Sequence, residues 1–245
     1  MKRIALVLGI IASLAITQTA SATTMTYTFG DTATHWGDLT KPSEDLNDTM
    51  GNPQIAGGVL NVTDGDLADV TIYASNLSAQ NHAGDLFINI INGQNDTFWD
   101  YLVSSHPLHG AANVAVYDVS AAGLSTEDAS NPLYIMSSWP IAGGNFRDNQ
   151  PIGVTLPQAN ANLGFMYIGD AAFSGLLNSG VSYDFSNLLD GIDVNGDILL
   201  GWTVLCGNDV LYENVPVPEP GTMMLLGAGL LGLAICGKRR MNKNV

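Results

Sequence analysis

The sequence predicts an all-β fold, a single β-sandwich domain of the jelly-roll kind, bounded by an apolar segment at each end of the chain. Three observations predict it. Short β-branched and aromatic runs recur from Met25 to Leu205 with Gly, Asn, Asp and Pro between them, which is the alternation of strands and turns. No stretch of this region keeps a helical period over a dozen residues without a Gly or Pro break. The two long uninterrupted apolar runs lie at the termini, each flanked by basic residues, so they belong to export and anchoring rather than to the core.

Residues 1–22 open with Lys2 and Arg3, run apolar from Ile4 to Ile16 and close on Ala20-Ser21-Ala22. A basic start, a short apolar middle and small residues at the end make a secretory signal peptide, with Ala20 and Ala22 as its cleavage residues. The run falls short of the ~20 residues needed to span a bilayer. The exported domain is therefore expected at 23–214.

Within it, strands are expected at MTYTF (25–29), GVLNV (58–62), DVTIYA (69–74), DLFINII (85–91), WDYLV (99–103) and NVAVYDV (113–119). LYIMSS (133–138), PIGVTL (151–156), LGFMYI (163–168), VSYDF (181–185) and ILLGWTVL (198–205) follow. The compact apolar stretch AAFSGLL, 171–177, reads as a short helix. Cys206 is the only cysteine of the domain. An internal disulfide is excluded, and the core must stabilise the fold unaided.

The formal net charge is −15, and all 23 acidic residues lie in the exported domain and the hinge after it, against Lys41 and Arg147. Such a field repels phosphate backbones, so nucleic acid is excluded as a partner. Lys41 is expected to pair with Glu44 or Asp45, and Arg147 with Asp148. Most of the acids are Asp beside Asn or Gly, which is turn chemistry.

One acidic turn suggests a metal. Asp193, Asn195 and Asp197 in DVNGD place oxygens on alternate residues about a glycine, as Ca²⁺ prefers. The full EF-hand pattern fails, since Ile198 and Val204 stand where its glycine and final acid belong. Asp64, Asp66 and Asp69 offer the same chemistry, as do Asn95, Asp96 and Asp100, though an ordinary turn explains each set more simply. His106 and His109 flank Pro107 and lack a third ligand nearby. Neither Gly-x-Ser-x-Gly nor an activated Cys with a His partner occurs in recognisable form. Trp36 and Trp139 sit beside turn residues and are the expected ligand contacts, whereas Trp99 and Trp202 lie in strand patterns and are expected in the core.

Residues 215–245 form the last unit: Pro216, Pro218 and Pro220 as an extended hinge, an uncharged helix at 222–237, then Lys238, Arg239 and Arg240. At ~1.5 Å per residue that helix is just long enough for a thin membrane, and the basic cluster is its cytoplasmic stop. Val217-Pro218-Glu219-Pro220-Gly221 followed by a glycine-rich apolar helix and Lys-Arg-Arg closely resembles the PEP-CTERM sorting signal of Gram-negative surface proteins. The resemblance implies a membrane protease of the exosortase class as partner, transient anchoring in the membrane, and release to the cell envelope or extracellular matrix.

Trp202-Thr203-Val204-Leu205-Cys206-Gly207-Asn208-Asp209 is similar to a Trp-Thr-x-x-Cys-Gly-Asn-Asp sequence found ahead of that signal in many such proteins. Gly51-Asn52-Pro53, Gly84-Asp85-Leu86-Phe87-Ile88 and Trp99-Asp100-Tyr101 are similar to a pattern in a subset of them. These likenesses imply a compartment and a fold, not a reaction. The expectation is a surface or matrix protein with a structural or adhesive role, associated with exopolysaccharide and without catalytic residues or cofactor. The alternatives are a carbohydrate-active hydrolase and a Ca²⁺-dependent glycan-binding module.

Overall fold

A computed structural model describes residues 22–32, 36, 54–77, 83–92, 97–104, 112–128, 130–136, 150–156, 163–176, 179–205, 207, 209–218, 227 and 229–230. Its strands are β1 (Thr24–Phe29), β2 (Gln54–Thr63), β3 (Asp66–Ser75), β4 (Ala83–Ile91), β5 (Tyr101–Ser104) and β6 (Asn113–Asp118). Then come β7 (Tyr134–Met136), β8 (Pro151–Val154), β9 (Met166–Leu176), β10 (Gly180–Asp184), β11 (Asp197–Val204) and β12 (Val210–Val215).

The all-β expectation holds, but the layers differ from it. Among the described residues ten strands form one antiparallel sheet in the order β1-β2-β3-β10-β9-β6-β5-β4-β11-β12, and β7 and β8 pair as a second, two-stranded sheet. A twisted sheet of ~10 strands curls, and here the curling brings the two edges together. The Thr32 N–H and hydroxyl, just past β1, both donate to Glu213 Oε1 of β12 at 2.6 Å. The Ile55 N–H of β2 donates to Asp209 Oδ2 beside β12 at 2.5 Å. One nearly closed sheet thus replaces two separate ones.

Local chemistry explains the turns. Asp64 and Gly65 connect β2 to β3 with φ of 56° and 99°, the two positive values that a tight hairpin with right-handed twist requires. Asp64 is also clasped to the start of β1, its Oδ1 accepting from Thr23 N at 2.9 Å.

Alternation within strands builds two cores. Leu86, Ile88 and Ile90 of β4 and Ile198, Leu200, Trp202 and Val204 of β11 point into the curl, where they meet Val70, Ile72, Val116, Val181 and Tyr183. Trp202 Nε1 donates to the Tyr183 hydroxyl at 3.1 Å, joining β11 to β10 across the interior. The opposite face carries Phe87, Leu199 and Val210, packed with Trp36, Trp99, Leu102, Tyr134 and Val154 in an outer core. Both faces of β4 are therefore covered, which is why its sequence reads as an apolar run.

Two elements depart from expectation. Residues 171–176, read as a helix, continue β9, with Ala172 paired to both Asn113 of β6 and Asp184 of β10. Backbone pairing on both sides outweighs the weak preference of a short Ala-Ala-Phe-Ser run. β12 was not anticipated, because Glu213 and Asn214 interrupt its apolar pattern.

Candidate functional site

The acidic segments singled out by sequence lie together. Asp66 and Asp193 form an antiparallel bridge, flanked by Leu67 N–H donating to Ile192 O at 2.9 Å and Val194 N–H donating to Gly65 O at 2.7 Å. Their carboxylates nonetheless have separate surroundings. Asp66 packs against Gly191, where a Cβ would lie 2.9 Å from its carboxyl carbon, and Asp69 accepts twice from the Asn61 amide at 3.0 Å.

The Asp193, Asn195, Asp197 set divides as well. Asp193 and Asn195 line a polar cleft of about 220 Å³ with Ile90, Asn92, Asp100 and Tyr101. Asp197 instead accepts from the Val217 N–H at 3.1 Å. Within the cleft Asp100 Oδ2 accepts from Ile90 N at 2.8 Å. The Tyr101 phenol is held above its ordinary pKa, first by burial and then by Asp100, Asp118 and Asp193, so it stays a neutral donor over the physiological range. Among the described residues no group of three or more His, Cys, Asp or Glu is placed to hold a metal ion.

The described residues of segments 84–88, 99–101 and 202–209 occupy structural positions. Gly84 has no space for a side chain, since a Cβ would lie 2.5 Å from Ile152 O and 2.6 Å from Thr203 O. Buried Asp85 accepts from Val154 N at 3.0 Å, and Thr203 Oγ1 donates to Pro151 O at 2.5 Å. Together they fasten β8 over β4 and β11. Gly207 takes φ 62° in the turn to β12, and buried Asp209 accepts from Ile55 N and Val210 N. Trp99 packs in the outer core while Asp100 and Tyr101 reach the cleft.

Trp36, expected as a ligand contact, is 0 % exposed. Its ring stands 5.0 Å from Phe87 and 5.5 Å from Trp99, centroid to centroid, in space left by the missing side chain of Gly201. It therefore offers no free face. Trp99 and Trp202 are buried as expected. Trp139, His106, His109, Lys41, Arg147, Asn95, Asp96, Cys206 and Ala20 lie outside the described residues, as do Glu219, Pro220, Gly221, Lys238, Arg239 and Arg240. Ala22 is exposed just ahead of β1.

An aromatic surface was missed. Tyr117 of β6 meets Phe165 and Tyr167 edge to face, at 6.5 and 5.8 Å. Tyr167 is 56 % exposed, and its hydroxyl donates to Asp170 Oδ1 at 2.9 Å. The alternating aromatics of GFMY were the available signal.

At the C-terminal end, β12 stops at Val215; Pro216 and Pro218 are exposed, and Val217 is buried between them. Among the described residues no helix is long and apolar enough to cross a membrane. Residues 216–240 match the PEP-CTERM protein-sorting motif. The motif implies export, processing by an exosortase and sorting to the cell surface. No curated protein and no solved structure matches the chain.

Proposed function

We propose that the protein is a non-catalytic surface or matrix component, anchored transiently by its C-terminal helix, released by an exosortase, and structural or adhesive through contact with exopolysaccharide. The carrying observation is the exposed Tyr167 ring, backed edge to face by half-buried Tyr117, which also meets Phe165, on a domain whose motif residues serve the fold. Exposed rings stack against the apolar faces of sugars, and the Tyr167–Asp170 pair supplies hydrogen-bonding groups at the rim. The net charge of −15 favours a neutral glycan over an anionic one.

Affinity electrophoresis of the released protein through a gel containing neutral glucan tests this. Retardation is expected, and is expected to vanish in a Tyr167→Ala variant, whose exposed ring can be removed with an unchanged melting temperature. A wild-type protein that migrates freely, or a variant retarded equally, overturns it.

Asp193 and Asn195, both facing the cleft, favour a Ca²⁺-dependent glycan-binding module as the second reading. Calorimetric titration with Ca²⁺ distinguishes the two. Heat that disappears in an Asp193→Ala, Asn195→Ala variant, joined to Ca²⁺-dependent retardation, would select the second.

A further inference from the structure

The sorting motif begins before the folded domain ends. Val215 pairs with Ile198 in the last register position of β12. Pro216 has no N–H to give, and Val217 then turns inward again, 5 % exposed and packed in the inner core. Its N–H is held by the Asp197 carboxylate at 3.1 Å. Matched residues 216–240 therefore overlap the domain, and Pro218 is the next exposed position.

A protease needs its target in extended form, with the main chain free to pair and the side chains free to enter pockets. Val217 satisfies neither condition while it is latched. Pulling it out removes a core side chain from its neighbours and strands a carboxylate, a local opening with its own free-energy cost. Between Val217 and the apolar run at Thr222 stand Pro218, Glu219, Pro220 and Gly221. At ~3.3–3.6 Å per extended residue they bridge roughly 14 Å at most.

We propose that Asp197 and the inner core form a latch on Val217 that sets the upstream limit of processing, so that the protease cuts the folded chain only C-terminal to Val217. The proposal rests on the exosortase reading of the tail. In the step concerned, one peptide C–N bond breaks. The acyl carbon gains the oxygen or nitrogen of a nucleophile, either water or an acceptor hydroxyl or amine, and the nucleophile's proton passes to the departing amine of the tail. Asp197 takes no part in that chemistry. It is a positioning residue acting through Val217.

Two measurements on the full chain test this. The first is amide hydrogen exchange at Val217 in detergent, for wild type, Asp197→Ala and Val217→Ser. Val217 is expected to be protected in wild type, and Asp197→Ala is expected to lose roughly tenfold of that protection, as befits one hydrogen bond to a charged acceptor. Unchanged exchange at β4 and β10 in each variant certifies the fold.

The second is the intact mass of the product released in cells that hold the protease. Wild type is expected to end at Val217 or later, and both variants are expected to add products ending upstream of it. A wild-type product ending before Val217, an unprotected Val217 amide, or variants giving the wild-type product alone overturns the latch. A wild-type chain that keeps its tail in those cells overturns the exosortase reading, and the processing role of the latch with it; protection at Val217 then stands for packing alone.

Discussion

Replacing Asp209 by Ala tests most directly whether the Trp-Thr-x-x-Cys-Gly-Asn-Asp segment serves the fold. Asp209 is fully buried, with Oδ2 accepting from Ile55 N at 2.5 Å and Oδ1 from Val210 N at 3.0 Å. The first bond ties β2 to the turn before β12, so it helps hold the two edges of the sheet together. Hydrogen bonds to a charged acceptor contribute ~1.5–3 kcal/mol each, and a buried donor left without a partner costs ~1–3 kcal/mol. The two effects count the same loss in part, so a destabilisation of about 2–4 kcal/mol is expected. For a domain of this length ~1 kcal/mol shifts the melting temperature by roughly 2–4 °C, so a fall of about 5–15 °C should appear in calorimetry of the released domain. Glucan retardation at low temperature should be unchanged. A variant melting within about 2 °C of wild type, or one that keeps its stability and loses binding, would refute the structural assignment and return Asp209 to the candidate site residues.

Gly201→Ala drives a methyl group against the Trp36 and Trp99 rings, whose nearest atoms would stand 2.5 and 2.9 Å away; overpacking of this kind should cost ~1–3 kcal/mol, and denaturant melts showing no loss would mean that Trp36 does not occupy that space. Alkaline pH should weaken the fold through Tyr134, whose pKa burial raises well above 10. Its contribution is complete below the unfolded value near pH 10 and is lost as pH climbs towards the folded value, at up to about 1.4 kcal/mol per pH unit. Melting curves between pH 8 and 11 should therefore fall less steeply for Tyr134→Phe, although that variant also loses the hydroxyl's bond to Ser125 O at 2.7 Å; equal slopes would contradict the assignment.

Local pattern decided more about this chain than about its site. The strand class was legible because alternation is written into adjacent residues: Leu86, Ile88 and Ile90 face one way whatever partner they find. The sorting tail was legible for a similar reason, since hinge, apolar run and basic stop are read in order along one segment. What lay outside local pattern was pairing. A sequence of strands does not say which edges meet, and the closure through Glu213 and Asp209 joins residues far apart in the chain.

The same limit applied to individual side chains. Trp36 looked like a surface residue beside a turn, and it is buried because Gly201 of a distant strand leaves room for its ring. Residues 171–176 looked helical and became strand because β6 and β10 stand on either side to satisfy their backbone groups. Asp197 looked like a partner for Asp193 and holds Val217 instead. Sequence by itself determined the β class, the acidic surface and the sorting tail, all of which depend on neighbours along the chain. Only the tertiary structure decided the single, nearly closed sheet, the burial of Trp36 and the anchoring of Val217, because burial and hydrogen-bond pairing belong to residues that meet in space.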